Sequence, residues 1–466
     1  MSREALIAVN RFGLGAAAGE LAAASSDPRG WLAAQASKPA PEYPAFADLA
    51  PSSEALKEFP RWLMKVRRAR ADAKAAMQED GQPAPRGVEE KFRDHFLPIL
   101  LKEVGARLAV AAATSVPFHE RLVWFWANHF TVSAEKPVIF AVVGSFEREA
   151  IRPHVGGRFV DMLLASSKHP AMILYLDNQL SVKPGWKPPP MAQRPNFPIP
   201  TGLNENLARE ILELHTLGVN GGYSQADVTT FARVLTGWTV GRPLENPGFI
   251  FAPARHDAGQ KTLLGKTYAQ DGMAQGEAVL RDLAAHPSTA RHVATKLARH
   301  FIADDPPPAA VERIARAFRD SGGRLPTVHA ALLESPEAWQ APLTKLKSPI
   351  EYVVSCLRAL PAAREAEPRA LFLALHEMGQ RPYFAPSPQG WPDTAPAWAG
   401  ADALWKRIEW SGILAARAGS GIDPLELARE SYGEAVSEPT RLAIERAESR
   451  QQGLALWLAS PEFQRR

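Results

Sequence analysis

The run Asn204-Glu205-Asn206-Leu207-Ala208-Arg209-Glu210-Ile211-Leu212-Glu213-Leu214-His215 sets three carboxylates, one guanidinium and one imidazole in a short stretch of chain. Carboxylates so placed can act as general acid and base or hold a hard cation, and Arg209 can orient an anionic or polar group. At ~100° per residue, Glu205, Arg209 and Glu213 share one sector of a helix spanning 203–217, with Glu210 on its edge. Leu207, Ile211 and Leu214 take the opposite side, and His215 lies near the apolar boundary. The same spacing also describes an exposed ladder of i,i+4 pairs, each contributing only ~0.3–0.5 kcal/mol. Placement bears on the choice: the helix sits between a long loop containing Trp186 and the Gly221-Gly222 turn, as a cavity wall would.

Other chemistry-bearing residues carry similar double readings. In the segment from Pro117, residues Phe118, Leu122, Phe125 and His129 form one stripe, so His129 is either a satisfied core histidine or a ligand or base. Asn128 beside it is a second polar side chain in need of partners. His256-Asp257 reads as an acid–base pair or as a loop-stabilising Asx turn. Trp238 and Trp391 are candidate sugar-stacking platforms, with core filling the ordinary role of tryptophan. His292, His300 and His376 lie on segments rich in leucine and alanine and read as structural.

The elements that must position these groups are mostly helical. The chain has 466 residues, 46% hydrophobic and 22% charged, with a net charge of +4. That near balance argues against nucleic acid as the main partner. Cys356 is the only cysteine. An internal disulfide is therefore impossible, and its apolar neighbours suggest a buried, inert thiol. No secretory signal and no bilayer-spanning apolar run is visible, which reads at face value as a cytoplasmic protein. Walker A, dinucleotide-binding, Gly-x-Ser-x-Gly and His-Glu-x-x-His patterns are absent, so no nucleotide or dinucleotide cofactor is expected.

Helix starts are marked by Ser348-Pro349-Ile350-Glu351, Ser335-Pro336-Glu337 and Ser460-Pro461-Glu462. Proline clusters mark irregular loops, with 38–90 and 181–201 as peripheral or loop insertions. The basic run from Arg61 to Lys74 reads as a solvated helix face, followed by a loop over 79–85. Residues Gly248 to Phe251 and Lys261 to Thr267 suggest a single hairpin around Asp257-Ala258-Gly259. The expected fold is mainly α, one large irregular multi-helix domain over 1–466 with long proline-rich loops and that small β-hairpin.

Several segments together resemble the family called domain of unknown function 1800. They are Asn10-Arg11-Phe12-Gly13-Leu14-Gly15, Trp126 through Ser133, Glu149 through His154, His169 through Met172 and Tyr175-Leu176-Asp177-Asn178. Gly202 through Glu210, Leu235 through Trp238, His256-Asp257, Gly390-Trp391-Pro392 and Ser460 through Phe463 complete the match, which covers nearly the whole chain. The resemblance implies one mostly helical bacterial domain. Family members often look exported, and their genes commonly neighbour a family that resembles alkaline phosphatases and sulfatases and bears a twin-arginine signal. Periplasmic placement by partner-assisted export is then the alternative to the cytoplasm.

Two functions are expected from this reading. The first is an enzyme whose pocket uses Glu205, Arg209, Glu210 and Glu213, with His129, Asn128, Asp177, Asn178, His256 and Asp257 converging on it. Trp238 and Trp391 would bind a saccharide or envelope-related polymer, with a divalent metal as a possible aid. The second is a non-catalytic helical partner or maturation factor for the co-encoded phosphatase- or sulfatase-like protein.

Overall fold

Capping residues and prolines set where the helices begin. In the computed structural model, which describes residues 2–36, 41–80, 92–188, 200 and 202–466, the fold is mainly α. Among the described residues, 21 α-helices are joined by short 3-10 and π turns, and the strands form just two antiparallel pairs. At Ser348 the expected capping box is present: the Ser348 amide donates to Glu351 at 2.8 Å and opens the helix Pro349–Ala359. Ser335 opens only a 3-10 turn, Pro336–Trp339.

Ser460 departs from expectation, because it closes the helix Arg450–Ala459 and starts none. The chain must bend there to bury Phe463 against Trp457 and Tyr432. Lys347 then donates to the Phe463 carbonyl at 2.8 Å.

The hairpin expectation is also corrected. Trp238–Val240 pairs with Phe249–Phe251, and Lys261–Leu263 pairs separately with Lys266–Tyr268. Leu264 and Gly265 adopt φ of 49° and 75°. Two consecutive positive values suit a two-residue turn whose twist matches the strands, so the second pair closes locally.

The helix Pro117–His129 runs through the interior, with only Ala127 and Asn128 partly exposed. Its buried charges are paired across the fold. Arg152 donates to both Glu120 oxygens, and Arg121 donates to the Gly13 carbonyl at 2.7 Å and to Glu351. A contiguous apolar cluster extends from Ile7 to Phe463 around this helix. Buried in it, the Cys356 thiol is pushed up to about 12 by desolvation, so it stays protonated and unreactive.

The basic face on the helix Ser52–Asp80 is solvated as expected, with Arg61, Lys65, Arg67, Arg68 and Arg70 exposed. The loop expected at 79–85 falls largely outside the described residues, as does Phe197 in the 181–201 loop. Among the described residues no helix is long and apolar enough to cross a membrane.

Three five-residue π turns, Ala8–Phe12, Glu147–Ile151 and Ile211–His215, interrupt the helical runs. Such turns recur at functional sites because they re-aim side chains that an α-helix would place elsewhere.

Candidate active site

The acidic run is an α-helix over Asn206–Glu210 that passes into the π turn Ile211–His215. The wider turn rotates the last residues, so Leu212 and His215 are buried while Leu214 stays half-buried. Glu205 stands before the helix and accepts from Arg209 at 3.0 Å, Gln225 at 2.9 Å and Thr229 at 2.7 Å. Its carboxyl is lowered first by the Thr229 hydroxyl. The Glu205–Arg209 pair is the predicted ladder, with side chains 28% and 39% exposed. Arg209 turns its second bond to Gln225, and among the described residues no Arg209–Glu213 pair forms. Burial first, and the nearby Glu213 charge second, raise the Tyr223 hydroxyl above its ordinary value.

Glu210 is the perturbed member of this group. Burial, and then the Glu213 charge, raise its carboxyl to about 6 against the pull of Arg209. Its folded value lies above the unfolded one, so stability falls as pH rises between 4.5 and about 6. Replacing Glu210 with glutamine should therefore stabilise the protein at pH 8 by about 1 kcal/mol, after discounting for solvent screening. The gain should vanish near pH 4. Urea unfolding at both pH values checks this, and an E210Q protein no more stable at pH 8 contradicts it.

Of the other expected site residues only His129 bonds to this helical run, at its buried end. His129 is buried in the core, its Nε2 on the His215 carbonyl at 3.1 Å. Asp177, with a left-handed φ of 58°, pairs with Lys136 at 2.7 Å. Asn178 is buried and donates to the Leu235 and Trp238 carbonyls. Trp238 is fully buried beneath Gly276 and Phe249, so it offers no face to a sugar. His256 bonds the Thr236 carbonyl at 2.8 Å, and Asp257 pairs with Arg233 at 2.5 Å. Neither the acid–base pair nor an Asx turn forms, since the Asp257 carboxylate is tied to Arg233 on the preceding helix.

Asn128 and Trp391 do come together, at a different place. The Asn128 side chain donates to the Trp391 carbonyl at 2.9 Å and accepts from the Trp391 amide at 2.7 Å. Gly390 makes this docking possible: its φ is +85°, and a Cβ there would lie 2.5 Å from the Asn128 carbonyl oxygen. The loop it leads into forms one wall of a cleft of about 120 Å³, shared with Thr131, His300, Glu351 and Asp393.

At that wall the His300 Nδ1 meets the Asp393 carboxylate at 2.6 Å. Three further bonds fix the loop around Asp393. Lys345 donates to the Asp393 carbonyl at 2.8 Å and to Asp304 at 2.6 Å, and Asp304 accepts from the Ala395 amide at 2.7 Å. Arg466 donates to Asp393 at 3.3 Å and to Glu351 at 3.0 Å.

Burial lowers the His300 imidazole to about 4, with Arg466 and Arg121 adding to the effect and Asp393 opposing it. The ring is thus neutral near pH 7. The carboxylate on Nδ1 requires the proton there, which leaves Nε2 as a lone pair. That Nε2 is buried without a hydrogen-bond partner. An imidazole oriented by a carboxylate, on a residue that lines a cleft and with its other nitrogen unengaged, has the parts of a general base.

Sequence reasoning missed His300, Asp393, Glu351, Arg121 and Arg466. Asp393 directly follows the Gly390-Trp391-Pro392 segment, and Glu351 was visible only as a cap. Among the described residues no group of three or more His, Cys, Asp or Glu side chains is placed to hold a metal ion. No curated protein and no solved structure matches the chain. The model of the family described as Protein of unknown function (DUF1800) matches residues 7–465, and the chain belongs to that family.

Proposed function

We propose that the protein is a hydrolytic enzyme in which His300, held by Asp393, removes a proton from a water or substrate hydroxyl in the cleft. The buried, unpartnered Nε2 of a ring that lines that cleft is the observation that carries the reading. Asp393 keeps the proton on Nδ1 and would stabilise the imidazolium formed when Nε2 accepts a second one. A volume of about 120 Å³ suits a small substituent and its attacking water better than a whole sugar ring. Trp391, half-buried at the rim, can flank a saccharide that carries the substituent. The substrate class is therefore an acylated saccharide of envelope type.

Purified protein assayed on acetylated saccharides and chromogenic acyl esters should hydrolyse at least one of them. Replacing His300 with glutamine should reduce that rate by about 10²-fold or more, the usual contribution of a positioned base. No hydrolysis by the unaltered protein, or full activity in H300Q, overturns the reading.

A second reading, a helical partner of the co-encoded phosphatase- or sulfatase-like protein, is favoured by one observation. The helix Ala401–Ala418 leaves Trp405, Ile408 and Ile413 about half exposed. Large apolar side chains left this exposed on one helix are a feature of interaction faces. Co-purification of the two proteins, lost on replacing Ile408 with glutamate, would support it. Failure to co-purify when the two are co-expressed would count against it.

A further inference from the structure

The cleft lined by His300 is also lined by Arg107 and Tyr383, which the hydrolytic reading leaves without a role. Arg107 comes from the helix Phe92–Ala113, and its guanidinium carbon lies 5.2 Å from the Trp124 ring and 5.6 Å from the Tyr383 ring. Glu147, at the start of the π turn Glu147–Ile151, holds it in place. One Glu147 oxygen meets Arg107 Nε at 2.7 Å while the other receives Arg152. Burial works against the Arg107 charge, but Glu147 and Tyr383 prevail, so the guanidinium stays protonated. Among the described residues neither terminal nitrogen of Arg107 bonds to the protein, and neither is fully buried. Two charged donors are thus left open on a residue that lines the cleft.

Tyr383 stands where the backbone favours glycine. The Phe384 amide closes a turn on the Arg381 carbonyl at 3.0 Å, with Pro382 and Tyr383 at its centre. Proline suits the first central position, but at the second Tyr383 takes a φ of 64°, which glycine adopts without cost. Such a backbone costs ~1–3 kcal/mol and persists only where its surroundings enforce it. Here the Ala134 amide donates to the Tyr383 carbonyl at 2.8 Å. The side chain so held is half-buried, and its hydroxyl has no bond among the described residues. Burial, with Glu147 adding to it, keeps this phenol protonated, so it is a neutral donor. Both groups lie near the base. Trp124 and Phe125 are consecutive on the helix Pro117–His129; Trp124 carries Arg107, and the Phe125 ring lies 5.5 Å from that of His300. The remaining carboxylates of the lining, Glu351 and Asp393, are already held by Arg466. Val132, Val143 and Phe146 add an apolar wall suited to a short acyl chain.

We propose that Arg107 and Tyr383 form the oxyanion-binding site of this cleft, donating to the carbonyl oxygen of the acyl group that His300 helps to remove. The role in catalysis rests on the hydrolytic reading above; the two donors do not depend on His300. When His300 Nε2 takes a proton from water, the water oxygen bonds to the acyl carbon and the C=O π pair moves onto the carbonyl oxygen. Arg107 and Tyr383 meet the charge that develops there. Return of that pair breaks the bond to the sugar oxygen, which takes the proton from His300. Ester and water thus leave as carboxylic acid and alcohol. Donors that meet a charge present only during reaction act on kcat more than on KM.

The test is calorimetry on the full chain with methylphosphonate, a tetrahedral anion shaped like the intermediate, beside kinetics on the ester that the unaltered protein hydrolyses. Saturable methylphosphonate binding is expected, weakened about tenfold or more in R107K and in Y383F and retained in H300Q. Y383F removes one hydroxyl and keeps the ring, so it reads the site even where R107K fails to fold around Glu147. In both variants kcat should fall about 10²-fold with KM little changed, the cost of one lost oxyanion donor. No saturable binding, or binding unchanged in both variants, overturns the proposal. Binding that needs Arg107 in a protein that hydrolyses none of the esters leaves the oxyanion site standing and removes the base. Hydrolysis that needs His300 but neither Arg107 nor Tyr383 keeps the base and removes the oxyanion site.

Discussion

Glutamine at position 351 should destabilise the protein by about 3–5 kcal/mol, the cost of breaking a buried ion pair from one side. Glu351 is buried and receives both Arg121 and Arg466, while its second oxygen also caps the Ser348 amide. Glutamine keeps the volume and an acceptor for the cap, so the loss isolates the charge. Burial works to raise the Glu351 carboxyl, but Arg466 and Arg121 prevail and hold it at about 2. The folded value lies below the unfolded 4.5, so the Glu351 contribution is complete above pH 4.5 and fades as pH falls toward 2. Denaturant unfolding at pH 7 should show the full difference between the two proteins, and the gap should narrow below pH 4.5. A difference under 1 kcal/mol at pH 7 would mean that the two guanidiniums find other compensation.

Asparagine at position 393 should reduce hydrolysis by about 10²–10⁴-fold, the range associated with loss of a working base. The amide can present its NH2 group to His300 Nδ1, which favours the tautomer with the proton on Nε2. Nε2 would then donate where the mechanism needs it to accept. Asp393 also receives Arg466, so some stability is lost as well. The separating readout is kinetic: kcat should fall with little change in KM, whereas a loosened loop would raise KM through Trp391. A D393N enzyme within tenfold of the unaltered rate contradicts the assigned role.

How much of this was legible in the sequence depended on how local each signal was. Caps such as Ser348 with Glu351 are read over three residues, and helix Pro117–His129 announces its burial through its apolar run. The strand pairing was misread because Leu264 carries no turn signature, and its positive φ appears only in the structure. The acidic helix was recognised as dense in chemistry, but a 3.6-residue period cannot foresee the π turn at Ile211–His215. That turn is why Leu212 points inward and Glu213 does not extend the Glu205–Arg209 ladder. The His300–Asp393 pair spans 93 residues, so no spacing rule joins its halves. On a helix of alanine and leucine, His300 looked like core.

The protonation state of the His300 ring decides whether this cleft holds a base, and long-range 1H–15N NMR on that imidazole reads it directly. The expected spectrum at pH 7 is a neutral ring with its proton on Nδ1 and an unprotonated Nε2, unchanged until pH approaches about 4. A ring protonated on Nε2, or an imidazolium at pH 7, would mean that Asp393 is not preparing a base at this cleft.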